Sequence, residues 1–216
     1  MAEQKITFII TSVIYFPNKK LSYSETRSVF TPEERTAQTL QTIKSIKEKI
    51  PSSQIVLVEM GRKKYINTSI INSVNKYIYV GSNLFVWLAA GSKYKGLGEA
   101  AGLLAASKKI KGIETDIFFK ISGRYFLNDD FNINNWLGYH FFFRKYAEAV
   151  STRLYAFNKN LFMDWIGAIR KSVPLLYNGK SIENVLPLFI NKSMVKEITP
   201  LGIAGTIGPN GEFLSE

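Results

Sequence analysis

Apolar positions along this chain fall into blocks of two kinds, short dense runs and longer stretches spaced three or four apart, and the blocks alternate. "ITFIITSVIYF", behind Lys5, is a dense β-branched and aromatic run, so residues 5–16 are predicted to form a first strand. Residues 17–31 are polar and carry the turn signal Pro17-Asn18, which predicts a long loop. Thr31-Pro32-Glu33-Glu34 then has the makings of a helix start: a hydroxyl cap, proline in the first turn, and acids where the helix dipole favours them. In the following stretch Leu40, Ile43, Ile46 and Ile50 recur at three- or four-residue spacing, as one buried helical face requires, and Pro51 ends it. "QIVLVEMG" reads as a short strand buried on both faces. A second helix is expected around "YINTSIINSVNK", a strand at "YIYVG", and a helix rich in small residues at "GLGEAAGLLAASKKI", approached by a loop from Gly91 to Gly98. "TDIFFKIS" is expected to be the central strand. Beyond Asp130 the alternation weakens. "YAEAVSTRLYAFNK" reads as strand, "NLFMDWIGAIRKSV" as helix, and "SIENVLPLFI" as a short helix ending near Pro187. The glycine-rich tail "ITPLGIAGTIGPNGEFLSE" reads as a strand and turn.

A β-α-β-α-β-α-β order predicts an α/β fold: an open, mostly parallel sheet with helices on both faces. No internal repeat or linker divides the 216 residues, so one domain is expected. In such sheets ligands bind at the carboxyl ends of the strands. That rule gathers Thr11-Ser12, Glu59-Met60-Gly61, Gly81-Ser82 and Ser122-Gly123-Arg124 along one rim.

Composition narrows the chemistry. There is no cysteine, which removes disulfides, thiolate metal sites and thiol nucleophiles. The single histidine, His140, rules out a multi-histidine metal site and argues against a Ser-His-Asp triad. A formal charge of +11 favours anionic partners: nucleic acid, acidic lipid headgroups or phosphorylated small molecules. No run is long and apolar enough for a membrane span, and Glu3 near the front reads against a leader. A soluble, cytoplasmic protein is the expectation.

Several short motifs carry candidate chemistry, each beside a plainer reading. "KGLGEAAG" places Lys95 and Gly98 at a loop-to-helix junction, where free amides and the dipole favour an anion; close helix packing explains the glycines equally well. Its spacing is not G-x-G-x-x-G. Glu59, ending "VLVE", is placed to accept hydrogen bonds from a ribose or base edge, or else to serve as a paired structural acid. Glu183 in "SIENVL" is either a general base or an ordinary first-turn glutamate. Asp129 and Asp130 need a turn to act together, and read first as loop acids. The oddest feature is "DIFFKISGRYFL", in which Ser122-Gly123-Arg124 interrupts an apolar strand that then resumes in aromatics.

Over most of residues 5–130 the chain resembles the GT-A glycosyltransferases. The likeness rests on "ITFIITSV", on "RTAQTLQTIKSIKEKIPSSQ" leading into "IVLVEMG", on "KGLGEAAGLLAAS", and on "DIFFKISGRYFL". In that family the second strand ends in an acid that binds the nucleoside, and Glu59 stands there. The small-residue helix precedes a strand carrying paired aspartates that hold a divalent metal on the sugar-nucleotide diphosphate. Here Ser122-Gly123-Arg124 replace them. An arginine offers a fixed positive fork to pyrophosphate oxygens and repels a metal.

The resemblance therefore implies a hexosyl- or deoxyhexosyl-transferase acting without a cofactor, with manganese or magnesium left open. Thr11, Glu59, Lys95, Gly98, Lys120, Ser122, Gly123 and Arg124 would bind a UDP- or GDP-sugar. Glu183 would be the base of an inverting displacement, with Asp130 in reserve. Arg153 and Tyr155 would contact a glycan acceptor. Residues 1–130 would form the donor half and 131–216 the acceptor half. Peripheral membrane association is left open, and no nucleic acid is expected. The alternatives are a basic nucleic-acid-binding module, without a recognisable binding motif, and an inactive adaptor of the same fold.

Overall fold

The computed structural model describes residues 4–64 and 67–216; Glu3, and Tyr65 and Ile66 at the head of the second expected helix, lie outside the described residues. The strands are β1 (Ile6–Ser12), β2 (Gln54–Glu59), β3 (Lys76–Tyr79), β4 (Ile117–Ser122), β5 (Tyr125–Leu127), β6 (Phe141–Phe143), β7 (Lys145–Tyr146), β8 (Ala149–Val150), β9 (Leu154–Asn158), β10 (Val195–Glu197), β11 (Ile203–Thr206) and β12 (Phe213–Ser215). The helices are α1 (Pro32–Lys49), α2 (Thr68–Ile71), α3 (Leu84–Ala90), α4 (Lys95–Lys111), α5 (Phe162–Tyr177) and α6 (Ile182–Val185).

Seven strands form the main sheet in the order β10-β6-β9-β4-β1-β2-β3, with β4 in the middle. All neighbours pair in parallel except β9, which runs antiparallel to both β4 and β6. Successive strand residues point to opposite faces. Ile9, Val56, Val58 and Phe118 accordingly pack with Ala100, Leu103 and Trp165 on one side. Phe8, Ile10, Leu57 and Phe119 pack with Ile43, Ile46 and Trp136 on the other. The central strands β1, β2 and β4 are buried on both faces, which is why they read as continuous apolar runs, while the edge strands β3 and β10 are partly exposed.

Helix α1 starts as expected, with a capping box between Thr31 and Glu34. Its buried face is wider than the isoleucine stripe, however, and takes in Arg35, Thr36, Thr39, Thr42 and Ser45, while Leu40 is only partly buried. Hydroxyls of this face fasten the chain that follows β4. Thr39 Oγ1 donates to the Gly123 carbonyl (3.3 Å), Thr42 Oγ1 to the Tyr125 carbonyl (2.8 Å), and Ser45 Oγ accepts from the Leu127 amide (3.0 Å). This accounts for the break at Ser122-Gly123-Arg124. Strand β4 ends there, and β5 leaves the main sheet to join a second sheet ordered β12-β11-β5.

Other boundaries differ from the sequence expectation. Strand β1 stops at Ser12 rather than running to residue 16, and residues beyond it form the rim. Helix α3 was not foreseen, because "LFVWLAA" is apolar on every side and shows no face. Helix α4 begins at Lys95, so Gly96 and Gly98 lie inside the helix rather than in an approach loop. The glycines admit neighbours: a Cβ on Gly98 would stand 3.1 Å from the Ala90 backbone, and one on Gly102 would collide with the Met60 sulfur.

Candidate functional site

Two adjoining cavities open over the carboxyl ends of β1, β2 and β4. The first, about 100 Å³, is lined by Thr11, Ser12 and Phe16 after β1, by Lys95 and Gly98 of α4, and by Ser122, Gly123 and Arg124. Arg27 of the 17–31 loop and Arg35 of α1 complete its wall. The second, about 230 Å³, shares Lys95, Glu99, Ser122 and Arg124 with the first. It adds Tyr23, Thr152, Arg153 and Glu183. Arg124 thus stands between the two.

Loop and tail are tied over this rim. The Ser22 amide donates to the Lys93 carbonyl (3.0 Å), and the Val29 amide to the Gly208 carbonyl (3.0 Å). Arg27 donates to the carbonyls of Lys19 (3.0 Å) and Ser92. Gly208 leaves room for Arg124: a Cβ there would strike its Nη1. The Gly123 amide donates to the Thr11 carbonyl (2.9 Å), which fixes the start of the β4–β5 turn. A Cβ on Gly123 would press Ile10 and Thr39 at 3.2 Å.

The first cavity is rich in cations. Arg27, Arg35, Lys95 and Arg124 line it against one carboxylate, Glu99. Glu99 forms an ion pair with the buried Lys120 ammonium, so its charge is matched there. Arg35 is buried, and among the described residues its guanidinium bonds only neutral partners, the Val13 carbonyl (3.4 Å) and the Gln38 side chain (3.0 Å). Burial, then the nearby Arg124, pushes its guanidinium down to about 9. Burial, then Arg124, likewise pushes the Lys95 ammonium down to about 7. Arg124 keeps a buried Nε with no hydrogen-bond partner among the described residues. Glu99 and Glu183 oppose the shift of Lys95, and Glu59 that of Arg35, but among the described residues none of the four cations is in an ion pair, so they form a site that an anion would relieve.

The expected site residues divide. Thr11, Lys95, Gly98, Ser122, Gly123 and Arg124 come together in the first cavity, and Arg153 and Glu183 in the second. Four others are placed elsewhere. Glu59 is fully buried, and its Oε1 accepts from the backbone amides of Ile14 (3.1 Å) and Gly61 (2.7 Å). It staples the exits of β1 and β2 together rather than facing the crevice. Burial raises its pKa, and these hydrogen bonds oppose the rise.

The fully buried Lys120 ammonium donates to Ser122 Oγ (3.0 Å) and the Thr152 carbonyl (2.7 Å) and forms an ion pair with Glu99, and it lines neither cavity. It positions the crevice from beneath. Tyr155 is buried in the core, its hydroxyl accepting from Trp165 Nε1 (3.0 Å), so it is not an acceptor-side wall. Asp130 is exposed in the turn after β5 and lines neither cavity; its neighbour Asp129 pairs with Lys49 (2.7 Å).

Arg153 is held by Glu216 Oε1 (2.6 Å) and donates to the Tyr125 hydroxyl (3.2 Å). Glu183 Oε1 accepts from Thr152 Oγ1 (2.9 Å), which orients the carboxylate in the second cavity. Sequence reading missed Arg27, Arg35, Glu99 and Tyr23. Arg35 carried a faint signal, since it falls on the helical row Arg35-Thr39-Thr42-Ile46.

Ser122, Gly123 and Arg124 offer one hydroxyl, no side chain and a cation, which do not suit a divalent ion needing several oxygen ligands. Among the described residues no group of three His, Cys, Asp or Glu side chains could hold a metal, and no helix is long and apolar enough to cross a membrane.

No family model and no curated protein matches the chain. Solved structures do share its fold. It is similar to core-mannan synthase A of Aspergillus fumigatus in a manganese- and GDP-bound form, at TM-score 0.58 and 8% identity, over 100% of this chain and 82% of that one. It is similar to the galactosyltransferase LgtC in complex with donor and acceptor sugar analogues, at TM-score 0.51 and 8% identity, over 95% and 88%. It is also similar to the glycosyltransferase GlyE of Streptococcus pneumoniae, at TM-score 0.53 and 8% identity, over 91% of this chain but 46% of that one. With β3-β2-β1-β4 in parallel, β9 reversed beside them and the crevice at their carboxyl ends, the chain has the GT-A fold of the nucleotide-diphospho-sugar transferases.

Proposed function

We propose that this protein transfers a sugar from a nucleoside diphosphate to an acceptor hydroxyl, and that arginine and lysine side chains take the place of a metal on the diphosphate. The observation that carries this is the set of four cations around the first cavity, whose one lining acid is already paired. Arg124 stands where the two cavities meet, so the first would hold the donor diphosphate and the second the acceptor. Residues up to about 130 would form the donor half and the remainder the acceptor half. The acceptor oxygen attacks the anomeric carbon, the bond from that carbon to the diphosphate oxygen breaks, and the diphosphate leaves with the electron pair. Arg124, with Lys95, Arg27 and Arg35, stabilises the charge that develops on it. Glu183 accepts the proton that the acceptor hydroxyl loses. A base on the face opposite the leaving group corresponds to inversion.

Melting temperatures measured with UDP-, GDP-, CDP- and TDP-linked sugars test the reading, because a ligand that binds only the folded state raises them by mass action. At least one should stabilise the protein in the presence of chelator. A flat response across the panel would overturn the reading. Glu183→Gln should lower turnover at least about a hundredfold while donor affinity stays within about twofold. Equal loss of both would remove the base assignment.

Lys95 sets a pH dependence. Its ammonium sits near 7 in the free protein, and a bound dianion would raise it. Donor affinity is therefore full below about pH 7 and declines as pH rises through that value, by at most about tenfold per unit. Titration calorimetry from pH 6 to 8, below the range in which Arg35 would lose its proton, on wild type and Lys95→Met checks this. The decline should vanish in the variant, and an identical slope in both would count against Lys95.

A further inference from the structure

Helix α3 follows the Asn83 cap with "LFVWLAA", and only Val86, Ala89 and Ala90 of its seven residues are buried. Leu84 is 71% exposed, Leu88 56%, Phe85 47% and Trp87 41%. Four large apolar side chains within five residues thus face outward, and the helix carries no charged residue of its own. Scattered exposed leucines are ordinary, but a contiguous apolar face on a helix is a contact surface.

What surrounds it is basic. Arg62 stacks its guanidinium 4.0 Å over the Trp87 ring, Lys63 and Lys64 are exposed beside it in sequence, and Lys93 is exposed just past the helix end. Arg62 also reaches the helix end itself, since a Cβ on Gly91 would collide with its Nη2. An apolar face of leucine, phenylalanine and tryptophan with lysine and arginine at its edge matches a membrane surface with acidic headgroups. A second copy of the chain fits less well, because a two-fold contact would bring this basic rim against itself. The face also adjoins the crevice: Ala90 lines the first cavity, and the short loop after α3 leads to Lys95, which lines both.

We propose that α3, with Arg62, Lys63, Lys64 and Lys93, docks the protein on an anionic lipid surface and holds the crevice at that surface. The inference is independent of the reaction proposed above, so either can fail alone.

Vesicle flotation tests it, using phosphatidylcholine alone and phosphatidylcholine with phosphatidylglycerol. The wild-type protein should float with the anionic vesicles, weakly with the neutral ones, and less as salt increases. Leu84→Ser/Leu88→Ser should lower partitioning at least about tenfold, and Lys63→Glu/Lys64→Glu should remove the preference for anionic lipid. Both pairs are exposed, so unchanged melting temperatures should show that the variants fold. Trp87 supplies a second readout: Trp136 and Trp165 are buried, so a vesicle-induced blue shift of emission reports this helix. Absence of flotation, or equal partitioning of wild type and the leucine variant, overturns the proposal. So does a dimer in sedimentation that the leucine variant abolishes, since a second copy would then cover the face.

Discussion

Arg124→Ala is expected to weaken binding of a nucleoside diphosphate at least about a hundredfold while lowering the melting temperature by no more than about 2 °C. A charge-assisted, bidentate contact in a water-poor site contributes about 1.5–3 kcal/mol and more where the partner is a polyanion. The cost to folding is small for a stated reason. Among the described residues Arg124 makes no ion pair and its Nε has no hydrogen-bond partner, and its presence pushes down the basicity of Arg35 and Lys95. Removing it relieves a repulsion in the free protein and removes an attraction in the complex. Calorimetry with UDP and GDP, beside a thermal melt, separates these effects. Arg124→Lys should recover part of the affinity, since it keeps the charge but not the planar fork. If Arg124→Ala bound as tightly as wild type, the arginine would be a bystander.

Lys120→Met is expected to act through the fold. The Lys120 ammonium is fully buried and holds three partners from three elements: Ser122 at the end of β4, the Thr152 carbonyl before β9, and Glu99 of α4. Methionine fills nearly the same volume, so the loss is electrostatic. It strands a carbonyl and the Glu99 carboxylate, whose side chain is 18% exposed. Breaking a buried pair from one side costs about 3–5 kcal/mol. With water reaching Glu99, the lower end applies, and a melting temperature lower by about 6–12 °C follows for a chain of this size. Adding Glu99→Gln to Lys120→Met removes the stranded charge, so the double variant should be at least about 1 kcal/mol better than the sum of the singles. Strict additivity would mean that the pair is not coupled.

The centre of the main sheet was legible because β1, β2 and β4 are buried on both faces and so read as unbroken apolar runs, whereas the edge strand β10, Val195–Glu197, is short and largely exposed and gave no such run. Ile6–Ser12, Gln54–Glu59 and Ile117–Ser122 all lie within stretches that their sequence marked as strands. Helix α3 was hidden for the opposite reason. It buries three small residues and exposes four large apolar ones, so no face could be read from its pattern. The hydroxyl face of α1 was hidden too, because Thr39, Thr42 and Ser45 look like a solvated side until β5 supplies partners for them.

At the site, motif spacing led to Arg124 and Lys95, but not to what Glu59 and Lys120 do. Glu59 ends β2 and Lys120 lies within β4 near its end, and the local sequence cannot tell a charged side chain that turns inward to protein partners from one that turns out to a ligand. Arg27 was out of reach because its place over the crevice depends on contacts of the 17–31 loop with residues 92, 93 and 208.

Chelator dependence of donor binding tests the central claim most directly. The titration uses whichever nucleoside diphosphate or diphospho-sugar raises the melting temperature, first in EDTA and then in excess manganese, with turnover followed in the same two buffers. Arginine neutralisation of the diphosphate predicts that affinity in EDTA stays within about threefold of that in manganese and that Arg124→Ala loses binding in both. Binding that disappears in EDTA, returns with manganese and survives Arg124→Ala would contradict it.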